Sequence, residues 1–477
     1  MANRRQFIQS TGVLSAGMLL GKNGWSAPLT PDYISNRPAM ADRKFTSTAV
    51  EEVIVMIKKQ LPNKELSWLF ENCFPNTLDT TVDFEIINGK PDTYVITGDI
   101  DAMWLRDSTA QVWPYLPLVK KDAKLQELIK GVINRQTKCI LLDPYANAFY
   151  KDVNKISEWK DDVTKMKPGI HERKWEIDSL CYPVRLAYGY WKQTGDSSVF
   201  DSSWKEAMQS IIQTFTEQQR LHDKGPYSFQ RNTTWATDGV PLSGYGYPVK
   251  PVGLIVSTFR PSDDCTLLPF LIPSNMFAIE ILGYMSELLS LPAVNDLSLA
   301  AKAKALQVQV KKAWQQYGII QHPMFGRIIA FEVNGYGSFH LMDDANVPSL
   351  LSLPYLGTIA PNDPLYLNTR KVVLSENNPF YYKGKAGEGI GGPHTGADTI
   401  WPMSIILRAI TSVDEKEIKH CLDMLIKTHA GTGFMHESFH KDDASKFTRK
   451  WFAWANTLFG ELIMKLYKER SALLKTI

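Results

Sequence analysis

The chain carries the zinc-protease pattern H-E-x-x-H near its carboxyl end, as His436-Glu437-Ser438-Phe439-His440. In zinc proteases the two histidines of this pattern lie one helical turn apart and bind the metal, and the glutamate acts as the general base. Glu461 follows at about the separation along the chain at which some of these enzymes place a third ligand. A zinc peptidase is therefore one hypothesis for this chain.

The residues that flank the pattern argue against a zinc site. Gly431 and Gly433 interrupt the chain just before it, and the segment "KDDASKF" that follows is typical of a turn. Because no amphipathic helix leads into the pattern, the sequence gives no reason for His436 and His440 to face one metal ion. We therefore expect no metal ligand here and interpret Glu437 as a carboxylate that a loop presents to a pocket.

Further carboxylates stand in six segments that are rich in glycine and aromatic residues. Glycoside hydrolysis needs two carboxyl groups, one to protonate the leaving oxygen and one to activate water or attack carbon. Most of these carboxylates are expected to be structural, and Asp107 and Asp178 are suited to capping helix starts. The pattern alone does not select a catalytic pair from Asp99, Asp101, Asp107, Glu172, Glu176, Asp178, Asp263, Asp264, Asp343, Asp344, Glu388 and Glu437.

Each of the six segments leads into a mostly apolar helical stretch, and a charged amphipathic stretch commonly follows. An apolar helix is typical of the interior, whereas a helix with a charged stripe is typical of a solvated position. Six such units predict an all-α fold, an (α/α)6 toroid of two concentric rings with the six segments around one pocket. Strand-like alternation is confined mainly to residues 80–98, where Asn88-Gly89 predicts a turn. The alternative is an irregular helical protein whose loops point in several directions.

Composition narrows the class of partner. The net charge of +3 over 477 residues, with no dense basic block, gives no case for a nucleic-acid partner. The 13 Trp, 19 Tyr and 21 Phe suit sugar ligands, although such residues also fill large cores. No composition break divides residues 45–477, which we therefore expect to form one catalytic domain. The five scattered cysteines form neither a zinc knuckle nor a disulfide framework: Cys73, Cys139, Cys181, Cys265 and Cys421.

The amino terminus resembles a bacterial twin-arginine export leader. Arg4 and Arg5 precede a phenylalanine and a short apolar run that small residues close, although Asn3 stands where serine or threonine is usual. We expect residues 1–27 to be the export signal, residues 28–44 to be a linker, and the mature protein to be periplasmic. Since no later segment has 18 uninterrupted apolar residues, we expect no membrane partner.

Five motifs resemble those of glycoside hydrolase family 125, the exo-acting α-1,6-mannosidases of bacteria and fungi. The resemblance runs from about residue 45 to the end. It implies an (α/α)6 barrel and a metal-independent, inverting hydrolase without a cofactor, which we expect to be a monomer. The substrate would be a mannose-containing oligosaccharide, an N-glycan or mannan fragment. The motifs are "TGDIDAMWLRDSTAQVWPYL", "WEIDSLCYPVRLAYGYWKQTGD", "FRPSDDCTLLPFLIPSNMFA", "GPHTGADTIWPM" and "GFMHESFHKDDASKFTRKWFAWANTLFGELI".

The resemblance also implies roles for the carboxylates. The general base would be Glu437 and the general acid would lie in Ser262-Asp263-Asp264. We favour Asp264 as the acid, with Asp263 orienting it or binding a sugar hydroxyl, because a neighbouring like charge helps to keep a carboxyl group protonated. Inversion requires the two carboxyl groups to be about 6.5–9.5 Å apart, so that water fits on the far face of the sugar.

Several further residues are candidates for binding substrate. Asp99, Asp101, Trp104, Arg106 and Asp107 are expected to shape the mannose subsite, because carboxylates and guanidinium groups suit vicinal hydroxyls. Other candidates have a structural alternative as an ion pair, a core aromatic residue or a loop histidine: Arg260, His394, Arg449, Trp175, Trp451, His436 and His440. A non-catalytic glycan-binding toroid and, with less support, a uronate lyase remain as alternatives to the mannosidase.

Overall fold

The computed structural model describes residues 33–477, so the predicted leader and the first part of the predicted linker lie outside the described residues. Residues 33–44 pack against the domain. The Arg37 guanidinium is buried between Asp79 (2.7 Å) and Glu51, and the indole N–H of Trp68 donates to the carbonyl of Ile34 at 2.6 Å. The ordered unit therefore begins before residue 45.

Twelve α-helices of eight or more residues form the described part of the chain: α1 Thr48–Gln60, α2 Lys64–Cys73, α3 Leu105–Val112, α4 Ala123–Leu142, α5 Ile177–Thr194, α6 Ser202–Gln218, α7 Ile272–Leu289, α8 Leu297–Tyr317, α9 Pro364–Val373, α10 Pro402–Ile410, α11 Glu415–Thr428 and α12 Ala453–Glu469. Shorter helical turns span Asn76–Thr80, Pro241–Gly244 and Ser471–Leu474, and 3-10 helices span Met40–Asp42, Trp113–Lys121 and Pro393–Thr395.

Fifteen short strands lie between the helices: β1 Val82–Ile87, β2 Lys90–Val95, β3 Met103–Trp104, β4 Ala148–Phe149, β5 Ile170–Glu172, β6 Phe270–Leu271, β7 Ile319–His322, β8 Gly326–Ile329, β9 Glu332–Val333, β10 Phe339–His340, β11 Tyr381–Lys383, β12 Glu388–Ile390, β13 Thr399–Ile400, β14 Phe439–His440 and β15 Asp443–Phe447. The predicted hairpin is confirmed, since β1 and β2 pair antiparallel around Asn88 and Gly89. Both turn residues have a positive φ, as a tight two-residue turn requires.

Five of the helices form an inner ring, as the predicted toroid requires. Helix α5 packs against α3 and α7, and α12 packs against α10 and α3. The outer helices cover this ring, with α4 against α5, α8 against α7, α11 against α10 and α2 against α12. The predicted (α/α)6 architecture is therefore confirmed.

The fourth unit of the ring departs from the prediction. The segment after β10 was expected to lead into a buried helix, but residues 350–357 form turns. They are largely buried all the same, with Leu350, Leu351 and Leu353 in the core. Pro348 and Pro354 explain the difference, because each lacks the N–H that a continuing helix needs.

The two rings differ in how their helices begin. Each outer helix has an N-cap residue whose side chain accepts a hydrogen bond from a backbone N–H of the first turn. These residues are Ser47, Asn63, Asp122, Asp201, Asp296, Asp363 and Asp414. No such side-chain cap exists at the inner helices α3, α5, α7, α10 and α12, whose cap positions hold Trp104, Glu176, Leu271, Trp401 and Phe452. The inner ring therefore depends on burial of apolar faces rather than on capping.

Short sheets join in pairs the six segments rich in glycine and aromatic residues. We call these segments the first to sixth rim loops, and they span residues 97–107, 169–178, 258–270, 331–344, 383–398 and 431–450. Strand β4 pairs with β3 of the first loop and β5 of the second. Strand β6 of the third loop pairs with β9 of the fourth, and β13 at the end of the fifth pairs with β14 of the sixth. These three-stranded sheets hold successive loops at one end of the ring.

Candidate active site

A pocket opens at the end of the ring where the rim loops meet. Seven predicted site residues line it: Trp104, Arg106, Asp107, Asp263, His394, Glu437 and Arg449. Eight further lining residues were not predicted: Thr97, Ile100, Pro261, Ser262, Asn346, Trp401, Phe452 and Trp454. The loops and the first turns of the inner helices α3 and α12 supply most of this lining.

Glu437 lies on the sixth rim loop, between the end of α11 and the start of β14. Its side chain is largely buried, and Oε1 lies 3.5 Å from Nε of Arg449. Arg449 in turn reaches Oδ1 of Asp99 at 3.2 Å, so Asp99 contacts the pocket through this arginine. The arrangement holds the Glu437 carboxylate in one orientation at the pocket wall.

The H-E-x-x-H pattern does not lie on a helix. His436 precedes β14, its ring is stacked on Phe447 with centroids 3.9 Å apart, and its Nδ1–H donates to the carbonyls of Arg449 and Lys450. Glu461 lies on α12 and accepts a hydrogen bond from Tyr355. No group of three His, Cys, Asp or Glu side chains within residues 33–477 is placed to hold a metal ion. The prediction of a loop rather than a metal-binding helix is confirmed.

The two aspartates of the third rim loop have different environments. Asp263 lines the pocket, and its backbone has a φ of 65°, a left-handed conformation that a non-glycine residue adopts only where the surroundings hold it. Asp264 is 2% exposed and does not line the pocket; its Oδ1 accepts a hydrogen bond from the Thr237 hydroxyl at 2.5 Å, and its Oδ2 lies 4.0 Å from the pocket residue His394. This geometry favours Asp263 over Asp264, contrary to our preference from the sequence.

Four carboxyl groups surround the single guanidinium of Arg106. Glu176 lies 2.6 Å from Nη1, Asp178 lies 3.1 Å from the same atom, Asp107 lies 3.5 Å from Nε, and Asp263 lies 3.7 Å from Nη2. Arg106, Glu176 and Asp178 are all buried. One positive charge therefore faces up to four negative charges in a region from which water is largely excluded.

This crowding shifts the acidity of the group. Burial raises the pKa of Glu176 well above its usual value, and Asp263 and Asp178 add to the shift against the attraction of Arg106. Burial likewise raises the pKa of Asp178 to about 6 and raises that of Asp107. Burial also opposes ionisation of Asp263, but Lys174, Arg106 and a hydrogen bond from Glu176 hold the pKa of Asp263 below its usual value.

The expected capping roles of Asp107 and Asp178 are wrong. Trp104 and Glu176 occupy the cap positions of α3 and α5, so both aspartates lie inside the first turn of their helices. Asp107 accepts a hydrogen bond from the Thr97 hydroxyl, and Asp178 accepts one from Arg106. Sequence position could not distinguish a cap from the first turn because the two differ by only two or three residues.

Besides Asp99, which reaches the pocket only through Arg449, two predicted substrate ligands lie outside it. Arg260 is buried against Glu332 at 2.7 Å and does not line the pocket, which fits its alternative as a structural ion pair. Asp101 has a side chain that is 74% exposed and pairs with Lys155 at 3.0 Å in a neighbouring cleft. The sequence could not separate these roles because both residues belong to loops that also carry pocket residues.

Of the aromatic residues that line the pocket, only Trp104 was singled out from the sequence. Trp175 is in the core, where its indole N–H donates to the carbonyl of Val256 at 2.7 Å. Trp451 packs against Gly98 and does not line the pocket. The lining aromatic residues Trp104, Trp401, Phe452 and Trp454 stand at or next to the cap positions of inner helices. An aromatic residue at the junction of a rim loop and an apolar helix is the signal that would have found them.

Comparison with known proteins identifies relatives over almost the whole chain. The family model of metal-independent α-mannosidases (GH125) matches residues 63–464. A solved structure of a metal-independent α-mannosidase from Streptococcus pneumoniae, in a non-productive complex with α-1,6-mannobiose, is 42% identical with a TM-score of 0.86. The match covers 90% of this chain and 100% of that one.

A eukaryotic relative has a similar degree of identity. The meiotically up-regulated gene 157 protein of Schizosaccharomyces pombe is 44% identical over 457 residues, which cover 92% of this chain and 89% of the relative. A bacterial glucoamylase in complex with acarbose is only 12% identical, with a TM-score of 0.51 over 88% of this chain and 58% of that one. The glucoamylase shares the fold, and its low identity supports nothing further.

Proposed function

The chain belongs to glycoside hydrolase family 125, the metal-independent α-mannosidases, and on that premise we propose that it removes α-1,6-linked mannose from non-reducing ends with inversion. The observation that carries the proposal is the pairing of Asp263 and Glu437 in one small pocket. They stand on the third and sixth of six rim loops, so that their loops lie across the ring from each other. The relative from Streptococcus pneumoniae that was solved with α-1,6-mannobiose supports the choice of linkage.

In the proposed reaction, Asp263 donates a proton to the glycosidic oxygen while Glu437 accepts a proton from the attacking water. Both steps occur together in an inverting glycosidase, and the anomeric carbon passes through an oxocarbenium-like transition state. The ion pair with Arg449 orients the Glu437 carboxylate at the pocket wall. The carboxylates around Arg106 stabilise developing positive charge on the sugar ring.

The pocket residues suit a single mannose. Trp104, Trp454 and Phe452 offer apolar faces to the sugar ring, and Asp107, Arg106 and Asn346 offer polar groups to its hydroxyls. The indole N–H of Trp104 has no hydrogen-bond partner within residues 33–477 and is available to a hydroxyl oxygen. A pocket that holds one terminal sugar favours exo action on N-glycan or mannan fragments, which we propose as substrates.

We also propose that the protein is exported to the periplasm and acts as a monomer. The twin arginines Arg4 and Arg5 support export. Fusion of residues 1–45 to a reporter that is active only after twin-arginine transport tests this, with Arg4→Lys/Arg5→Lys as the control. Size-exclusion chromatography with light scattering tests the oligomeric state.

The decisive assay uses α-1,2-, α-1,3- and α-1,6-linked mannobioses, each with and without chelator. We expect hydrolysis of the α-1,6 linkage in preference to the others, with no effect of chelator. Proton NMR at early times should detect β-mannose as the first product. Release of α-mannose would contradict inversion, preference for another linkage would contradict the proposed substrate, and the absence of turnover would favour a non-catalytic glycan-binding protein.

A further inference from the structure

We propose that Glu176 and Asp263 hold one proton between their carboxyl groups, and that this is the proton that Asp263 delivers to the leaving oxygen. The inference rests on the proposed function, because it assigns the source of the proton in that reaction. It makes Glu176 a positioning residue that acts through Asp263. The reasons lie in the charges, the burial and the hydrogen bonds around Arg106.

Charge balance requires a proton in this group. The neighbouring cations Lys174 and Arg231 are already engaged by three other carboxylates: Glu172, Asp238 and Asp162. Arg106 is left to face Glu176, Asp178, Asp107 and Asp263. Buried charges that are not matched by opposite charge are costly, so a buried cluster with an excess of carboxylates retains protons at neutral pH.

Hydrogen bonding places one such proton on Glu176. Its Oε2 accepts from Arg106 at 2.6 Å and from the Ser179 hydroxyl at 2.7 Å. No N–H or O–H donor within the described residues reaches its buried Oε1. A proton on Oε1 turns this unsatisfied acceptor into a donor, and the Asp263 carboxylate is the acceptor that it reaches.

Two carboxyl groups joined in this way titrate as a pair. The first proton stays bound to a higher pH than either group would hold it alone, because the two negative charges repel each other. The opposite directions of the pKa shifts, raised at Glu176 and lowered at Asp263, agree with a shared proton that lies closer to Glu176. Asp263, which lines the pocket, is the member that reaches substrate.

The proton balance of the reaction closes with this pair. The shared proton moves from Glu176 through Asp263 to the glycosidic oxygen, and the bond from that oxygen to the anomeric carbon breaks, which leaves both carboxyl groups of the pair ionised. The oxygen of water bonds to the anomeric carbon and its proton goes to Glu437. After the products leave, Glu437 loses this proton to solvent and the pair takes one up, which restores the starting state.

The test is Glu176→Gln, which keeps the size of the side chain and a hydrogen-bond donor but cannot pass on a proton. We expect kcat/KM for α-1,6-mannobiose to fall about 100-fold or more, within the range for loss of general acid catalysis. We expect a much smaller loss, within about 3-fold, for 2,4-dinitrophenyl α-mannoside, because its leaving group needs little protonation. The alkaline limb of the pH profile should move to lower pH, since Asp263 then titrates alone beside Arg106 and Lys174.

Glu461→Gln is the matched control, because Glu461 is a half-buried carboxyl group on the inner helix α12 that accepts a hydrogen bond from Tyr355 outside the pocket. This variant should leave unchanged both the ratio of the kcat/KM values for the two substrates and the alkaline limb of the pH profile. If Glu176→Gln lowers kcat/KM equally for both substrates and does not move the alkaline limb of the pH profile, Glu176 is only structural and the inference is overturned. Wild-type activity in Glu176→Gln would overturn it as well.

Two further arms keep the test decisive. If Glu176→Gln does not fold, Glu176→Asp replaces it, because the shorter acid withdraws its proton from Asp263 and should move the alkaline limb in the same direction. An unmoved limb would then reject the inference. Failure of the proposed function is distinguishable, since the wild-type enzyme itself would then fail to hydrolyse α-1,6-mannobiose.

Discussion

At the scale of single residues, Glu437 has the position that the proposed general base requires. Its carboxylate faces Arg449 at 3.5 Å at the wall of the pocket. We expect Glu437→Gln to lower kcat on α-1,6-mannobiose by about 10²–10⁴-fold, the usual contribution of a general base, while mannose still binds. Steady-state kinetics together with calorimetric titration of mannose measure both effects. Substantial residual turnover would remove Glu437 from the role, and exposed Glu469→Gln is the control.

The two adjacent aspartates give a second test at this scale. Asp263 faces the pocket, whereas Asp264 is buried and held by Thr237. We expect Asp263→Asn to lower kcat about 10²–10⁴-fold with little change in the melting temperature. Asp264→Asn should retain more activity than Asp263→Asn and should lower the melting temperature, because its buried hydrogen bond is disturbed. The reverse pattern in kcat would restore Asp264 as the acid.

The family resemblance predicted Glu437 and the Asp263-Asp264 segment as the catalytic residues, and within that segment our preference from the sequence was Asp264. Adjacent residues in a loop have no periodicity, so which one faces the pocket depends on the backbone conformation. Here the left-handed φ of Asp263 makes that choice. Pocket residues such as Asn346 were missed because amides and small polar residues in a loop are common outside sites as well.

At the scale of secondary-structure elements, the contrast between capped and uncapped helices bears on function. The outer helices satisfy their first N–H groups with their own caps, such as Asp122 and Asp296. The inner helices α3, α10 and α12 instead begin with aromatic residues that line the pocket. The positive ends of these helix dipoles favour negative charge nearby, so the fold helps to hold carboxylates at this end.

The rim sheets explain why the loops can hold a site with precision. Strands of two or three residues leave no alternating pattern, so the sequence could not predict them, whereas the six-residue strands of the β1–β2 hairpin were recognised. The apolar inner helices were predictable in five of six units because burial imposes a long uniform pattern. The prediction of a buried helix was wrong for the fourth unit, because Pro348 and Pro354 interrupt an otherwise apolar run.

The fifth rim loop depends on close contact between Gly391 and β13. A Cβ atom on Gly391 would lie 2.1 Å from the carbonyl oxygen of Thr399, which is backbone and cannot turn aside. We expect Gly391→Ala to push this loop away from β13, to displace His394, and to lower kcat/KM about 10-fold or more. Gly387→Ala is the matched control, because its Cβ would have ordinary contacts of 3.6–3.7 Å. Equal kinetics for the two variants would show that the contact does not position the loop.

At the scale of the whole molecule, the ring gathers six distant segments of one chain at a single opening. The charged network spans the first, second and third loops, through Arg106, Glu176 and Asp263. Glu437, which we propose as the base, and its partner Arg449 come from the sixth loop. Since none of these segments forms a site alone, substrate binding should stabilise the whole ring.

No helix within residues 33–477 is long and apolar enough to cross a bilayer.

Beside the pocket lies a cleft of about 470 Å³, large enough for a ligand. Ile100 lines both the pocket and the cleft. Trp104 of the pocket packs against His171 of the cleft, with 5.2 Å between the ring centroids. Lys155, Lys160 and other polar groups of the loop between β4 and β5 line the cleft. If the pocket holds one terminal mannose, as we propose, we expect the rest of the glycan to leave it along this cleft.

Comparison of α-1,6-mannotriose with α-1,6-mannobiose tests that path, because only the longer substrate has a further sugar to place in the cleft. Hydrogen bonds contribute about 0.5–1.5 kcal/mol each, so two of them should raise kcat/KM for the trimer about 5- to 150-fold over the dimer. In the double variant Lys155→Ala/Lys160→Ala this ratio should fall towards one. Exposed Lys165 lies outside the cleft lining, and Lys165→Ala should keep the wild-type ratio. A wild-type ratio of one, or a double variant that keeps the full ratio, would place the glycan elsewhere.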